Sequence, residues 1–400
     1  MTQLRSIALP ALLVLLACTR ADPESDVMTV DERGARVISV AALGNQAVPL
    51  WETELVFSTA GHDSLGIGDA VTVTATFLPD TSLWIGFGST ILILDRDGHQ
   101  IGTAGRQGSG PGEFTMLTAI GISGGGRIHA GEAHTRRVAS FDPQGRHIGT
   151  LSGLQLIDPR GDLEILTVLD GDEVVGIPWQ ARPALDMARS IAAQPFPRDR
   201  LTLVRYDNTG AIRDTLGEWP GLQRFGGMSV RFARAGVHDG RGNRMAIGIS
   251  DSIDVTLFDG PRPVTRLLGP PTTRAVTAAD IAAWEAGVRH ELDQFGETVL
   301  KRLAETEHPE LLPTVGGLVL DADDNLWLGG YATPADASRE WQKISPQGDA
   351  LGKISLPVYT TALFPARTEL LDAAGDRLAV LRELPSGEVA VEVRTLKRVD

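Results

Sequence analysis

The sequence has one cysteine, Cys18, in 400 residues. No internal disulfide can cross-link the folded part, even in an oxidising compartment. Positive charge is scarce too: 37 lysines and arginines stand against 51 carboxylates, a formal charge of −14. Such a surface, with no basic stripe, repels phosphate backbones, which argues against nucleic acid as a partner. Aromatic residues are only 5% of the chain. Common catalytic signatures are missing as well. No G-x-S-x-G elbow positions a nucleophilic serine. The eight histidines, at 62, 99, 129, 134, 147, 238, 290 and 308, include no H-x-x-x-H or H-x-H pair, so there is no local zinc motif.

What is abundant is glycine, with 45 residues, scattered among many short apolar runs. That combination points to turn-rich β structure. Apolar residues at 42% and charged residues at 22% are ordinary for a globular chain and do not suggest disorder.

The first residues carry the most specific local signal. Arg5 supplies a positive start, and Ile7 to Ala17 form an apolar run too short for a permanent membrane span. The run ends in Leu15-Leu16-Ala17-Cys18, which resembles a bacterial lipobox. The resemblance implies a signal peptide over 1–17 and a Cys18 thiol that accepts lipid. Residues 18–45 are polar or weakly patterned and read as a lipidated tether. Thr19, in place of Asp after the cysteine, resembles the sorting pattern for the outer membrane. The expected location is the cell envelope, lipid-anchored, facing the periplasm or the exterior.

From about residue 70 one pattern recurs. A short apolar strand follows a Gly-containing turn, a second ends in an Asp/Ser-x-x-Gly turn, and a third leaves it. Clear copies are Leu83-Trp84-Ile85-Gly86 with Ile91 to Gly98, and Arg127-Ile128-His129-Ala130 with Val138 to Gly145. Others start at Glu173, Arg244, Leu326 and Arg377. Asp or Ser at the first turn position bonds its own backbone, and Gly later supplies positive φ. Leading strands such as Ala119-Ile120-Gly121-Ile122 bring the count to four per unit, the make-up of a propeller blade. Leu83, Ile128 and Val174 lie 45 and 46 residues apart, near the usual blade period. Later gaps are stretched by insertions at 180–200 and 277–306.

The fold expected is therefore all-β, a six-bladed β-propeller of four-stranded blades over 46–400 with one helical insertion. The sixth unit ends after its third strand. Trp51-Glu52-Thr53-Glu54-Leu55-Val56-Phe57 is predicted to supply the missing outer strand and remove the open edges.

Ile101 to Phe114 contains G-x-x-G-x-G-P-G-E-F between two blade strands. With Asp95-Arg96-Asp97-Gly98 and Phe141-Asp142-Pro143-Gln144-Gly145, it resembles the NHL-related six-bladed β-propeller family of bacterial lipoproteins. The resemblance is tight over about residues 80–150 and implies a fold and little chemistry. A phosphate-loop reading of the glycines fails, because no Lys follows and Glu113 would repel phosphate.

Candidate ligand or partner contacts are Arg106 and Gln107 on this connector, and Glu132, His134 and Arg136 (with Arg137) in the next hairpin, unless that hairpin is simply a solvated turn. Asp321, Asp323 and Asp324 read as a turn, lacking the Gly and distal Glu of a calcium loop. Over 277–306, Thr277 and Asp280 form a capping box. Ile281, Trp284, Val288, Leu292, Phe295, Val299 and Leu303 then make one apolar stripe, either packed on the rim or presenting Trp284 as a lid or docking face. No catalytic residue and no cofactor is assigned. Calcium or zinc would need ligands converging from different blades. The leading expectation is a membrane-anchored binding or scaffolding protein with an unknown protein or small ligand as partner. The alternatives are a metal-dependent propeller hydrolase or lyase of lactonase type, with its site at the central channel, and a structural subunit of an envelope complex.

Overall fold

A computed structural model describes residues 30–43, 48–61, 67–68, 70, 72–158, 161–179, 198–225, 228–291, 301, 307–359 and 369–399. Cys18, the expected signal segment, most of the 180–200 insertion, and Leu292, Phe295, Val299 and Leu303 lie outside the described residues.

In chain order the strands are β1 (Arg36–Ser39) and β2 (Trp51–Ser58), then the blades. Blade 1 is β3 (Val73–Phe77), β4 (Leu83–Phe87), β5 (Thr90–Leu94) and β6 (Gln100–Ala104). Blade 2 is β7 (Ala119–Ile122), β8 (Ile128–Glu132), β9 (Arg137–Phe141) and β10 (His147–Leu151). Blade 3 is β11 (Asp162–Val168), β12 (Val174–Trp179), β13 (Arg198–Tyr206) and β14 (Ile212–Phe225), with the short β15 (Met228–Ser229). Blade 4 is β16 (Gly236–Arg241), β17 (Arg244–Ile249), β18 (Ile253–Asp259) and β19 (Arg262–Gly269). Helix α1 (Ala278–Glu291) follows. Blade 5 is β20 (Val315–Leu320), β21 (Leu326–Gly330), β22 (Ser338–Ile344) and β23 (Ala350–Pro357). Blade 6 is β24 (Leu370–Ala374), β25 (Arg377–Glu383) and β26 (Val389–Arg398).

Blade 6 takes its fourth strand from the other end of the chain. β2 pairs antiparallel with β26, Trp51 opposite Arg398 and Ser58 opposite Glu392. The first strands of the six sheets touch in cyclic order, and β24 meets β3. The ring is closed with six blades, as the repeat spacing predicts.

Local chemistry explains the hairpins. The Asp95 carboxylate accepts the amides of Asp97 and His99, both at 2.9 Å. Asp142, Asp207 and Ser345 do the same two and four residues on. Gly98, Gly145, Gly210 and Gly348 close these turns at φ of 82° to 90°, a region costly for any side chain. Between turns, aliphatic and aromatic residues pack blade on blade. Six clusters of buried apolar side chains each sit between two successive sheets, such as Trp84, Ile93, Phe114, Ile128 and Phe141 between blades 1 and 2.

The expected tether over 18–45 needs correction at its end. Arg36–Ser39 is strand β1, parallel to the outer strand of blade 4 and paired from Arg36 with Thr265 to Ser39 with Leu268. The segment then crosses blade 5, where Pro49 accepts the Lys353 amide, and enters blade 6 as β2. Upstream, the Arg33 guanidinium lies 5.0 Å over the Trp219 ring of blade 3. At the far end, Phe57 covers Gly98 of blade 1. The described residues of this stretch, 33–43 and 48–58, thus form a strap along the outer rim that touches five blades.

Helix α1 starts as its capping box predicts. Thr277 accepts the Asp280 amide at 3.2 Å, and the Asp280 carboxylate accepts the Thr277 amide at 2.9 Å. Asp280 also accepts the Thr333 hydroxyl, binding the helix to blade 5.

Candidate functional site

Each blade's first strand runs down the axis, starting on the face where the inter-blade connectors cross. On that face the axis opens into a cavity of about 430 Å³, within the usual size range of ligand sites. Its wall includes Trp179 at the end of β12, Glu164 on β11, Arg224 on β14, His238 and Asp239 on β16, and the glycine backbone at Gly316 and Gly317. Glu164 accepts the Trp179 indole N–H at 2.9 Å and lies 3.9 Å from His238 Nε2. The Arg224 guanidinium stacks 5.2 Å over the Trp179 ring and pairs with Asp199 at 2.8 Å. The wall is therefore an aromatic plate flanked by both signs of charge.

The opposite end of the axis is sealed. The hairpin between β16 and β17, Arg241-Gly242-Asn243-Arg244, hydrogen-bonds to four other blades, and Arg244 pairs with Asp324 of blade 5 at 3.5 Å. Arg241 Nη1 donates to both Asp372 oxygens at 2.9 and 2.7 Å, in blade 6, and Nη2 donates to the Phe77 carbonyl at 2.6 Å, in blade 1. The Gly242 amide donates to Ile122 of blade 2, and the Thr167 hydroxyl of blade 3 donates to the Gly242 carbonyl, both at 2.8 Å. Asn243 accepts the Asp170 amide at 2.9 Å. One hairpin closes the channel floor.

Asp239 sits just above that floor. Its Oδ2 accepts the Leu320 amide at 2.7 Å. Burial pushes its carboxyl up to about 7, against the Leu320 amide and with help from the nearby Asp372 charge. Burial raises Asp372 as well, opposed chiefly by Arg241.

The residues singled out in the sequence lie elsewhere. Arg106 is exposed and bonded to Glu113 at 2.8 Å, and Gln107 pairs with Phe114 across the connector. Glu132 is fully buried. It accepts the Thr115 and Met116 amides at 2.6 and 3.1 Å, hydroxyls of Thr115 and Thr135, and Arg137 at 2.8 Å. Burial alone would raise its carboxyl, but these donors prevail and lower it to about 2. Arg137 in turn donates to the Ser109 and Glu113 carbonyls, each at 2.7 Å. Glu132 and Arg137 therefore clamp the G-P-G-E-F connector and present no open face. His134 is exposed and pairs with Asp162 at 2.7 Å, and Arg136 occupies a left-handed turn position. Trp284 is 3% exposed, packed with Val230, Phe232, Val288 and Leu312 beneath Arg231. Burial there leaves Trp284 no open docking face.

Sequence reasoning missed Glu164, Trp179, Arg224, His238 and Asp239. Their convergence depends on which strands face the axis, and local spacing does not carry that. Among the described residues, no group of three or more His, Cys, Asp or Glu side chains is placed to hold a metal ion.

No family model matches the chain, and no curated relative does. Among solved structures the chain is similar to a putative exported protein from Bacteroides fragilis, at 11% identity and a TM-score of 0.45, covering 90% of this chain and 100% of that one. It is also similar to a member of the DUF4221 family from Bacteroides vulgatus, at 10% identity and 0.45, covering 82% and 93%. Virginiamycin B lyase from Staphylococcus aureus is similar at 12% identity and 0.38, covering 88% and 89%. At this level of likeness the six-bladed assignment rests on the strand pairing itself.

Proposed function

We propose that this chain is an exported, lipid-anchored binding protein whose small ligand seats in the axial cavity. The observation that carries the reading is a one-ended cavity, open where the blade connectors converge and floored by the Arg241 hairpin. A pocket of this size with an aromatic plate and a few placed polar groups is the usual form of a ligand site. Export and anchoring are supported by the apolar segment ending at Cys18, and kinship with NHL-related lipoproteins by the connector that Glu132 and Arg137 clamp. The outer membrane is the compartment that Thr19 favours.

Two measurements test the proposal. In a thermal-shift screen of envelope saccharides, peptides and amine, alcohol and acid fragments, a binder should raise the midpoint of the parent and not of Trp179→Ala. A screen in which no compound depends on Trp179 contradicts the binding reading. Fatty-acid labelling in a Gram-negative host should mark the parent and not Cys18→Ser; an unlabelled parent contradicts the anchor.

A further inference from the structure

The cavity's charges do not balance. At the floor two carboxylates, Asp239 and Asp372, share one guanidinium, and Arg241 gives both of its carboxylate contacts to Asp372. On the wall, Glu164 is the second carboxylate facing the cavity, while the cationic head of Arg224 is engaged by Asp199. His238 is the remaining titratable group of the lining, 3.9 Å from Glu164. The other polar neighbours of Asp239, the Leu320 and Gly240 amides, are neutral. An anionic guest would meet one carboxylate on the wall and another at the floor. A cation would meet one carboxylate at the floor, another on the wall and the Trp179 plate beside it.

We propose that the axial cavity takes a small organic ammonium ion, bound by the Asp239 and Glu164 carboxylates. This deepens the binding reading above and rests on it. An ammonium carries up to three N–H donors, and a charge-assisted hydrogen bond in a partly dehydrated site is stronger than a neutral one. Because burial holds the Asp239 carboxyl at about 7, the bound cation would displace a proton at neutral pH. Uptake of the ligand is then coupled to proton release.

The test uses three probes of similar size on the purified mature protein: phenethylammonium, 2-phenylethanol and 3-phenylpropionate. Calorimetry at pH 7 should rank the ammonium first, by about tenfold or more over the alcohol, as one charge-assisted contact implies. Asp239→Asn, which keeps shape and removes charge, should erase that preference. Titration in two buffers of different ionisation heat should show proton release in the parent and none in Asp239→Asn. If the alcohol or the acid binds as tightly as the ammonium, in a way Trp179→Ala weakens, the cavity remains a site and the charge assignment is overturned. If none of the three binds, the assignment is also overturned. The binding reading itself then falls only if the wider screen yields no Trp179-dependent compound.

Discussion

Two buried titratable groups pull the stability of the ring in opposite directions with pH. His129 is 3% exposed, and burial drives its imidazole down to about 4. Its Nδ1 finds no hydrogen-bond partner among the described residues, and Nε2 fills the space that Gly121 leaves by having no side chain. The unfolded chain takes up a proton below about 6.5 while the folded one does not until about 4. Stability from this group is therefore complete above that upper value and lost as pH falls through the window, by roughly 3 kcal/mol. Asp239 has the opposite sign. Its folded carboxyl is raised from 3.8 to about 7, so its contribution is complete below the lower value and lost as pH rises to the upper one. The two nearly offset each other between pH 4 and 6.5. Relative to the parent, Asp239→Asn should lose stability more steeply on acidification in that range. His129→Gln should make it gain. Urea midpoints at pH 4.5 and 7 check both; unchanged pH slopes in the two variants would contradict these assignments.

At the scale of elements, the hairpins and the closing strand were legible because their causes are local or countable. An Asp or Ser that bonds its own backbone and a Gly at positive φ mark four of these turns within five residues, and a sixth unit one strand short asks for a donor. The strap was not legible. β1 carries only four residues, and its place on blade 4 depends on packing across the rim. Glycines mark its course. A β-carbon at Gly98 would lie 2.5 Å from the Phe57 ring, one at Gly352 2.5 Å from Trp51, and one at Gly348 2.5 Å from Ile38. Gly98→Ala suffers twice, from the left-handed backbone, worth about 1–2 kcal/mol, and from the collision with Phe57. Phe57→Ala alone should also destabilise, but in the Gly98→Ala background it should cost less, with a coupling of about 0.5 kcal/mol or more. Strict additivity in a double-mutant cycle would mean the strap does not rest on that turn.

For the molecule as a whole, the floor hairpin is the feature that turns a closed ring into a vessel. Arg241 contacts groups 131 to 165 positions away in sequence, so no reading of local patterns could have found it. The candidates that local patterns did offer, Glu132 and Trp284, are polar or aromatic residues whose chemistry is spent on packing and clamping. Removing one partner of a buried pair leaves a charge without compensation. Arg241→Met should thus lower stability by about 3–5 kcal/mol, and Asp372→Leu added to it should recover part of that loss. A double variant no more stable than the single one, in urea unfolding, would show that Asp372 is not the partner that matters.

The most direct measurement is a crystal of the protein soaked with a mixed fragment set. Ordered density is expected in the axial cavity, against Trp179 and within hydrogen-bond reach of Asp239, with the Arg241 hairpin closed beneath it. Fragments bound only elsewhere, or an axis open from end to end, would contradict it.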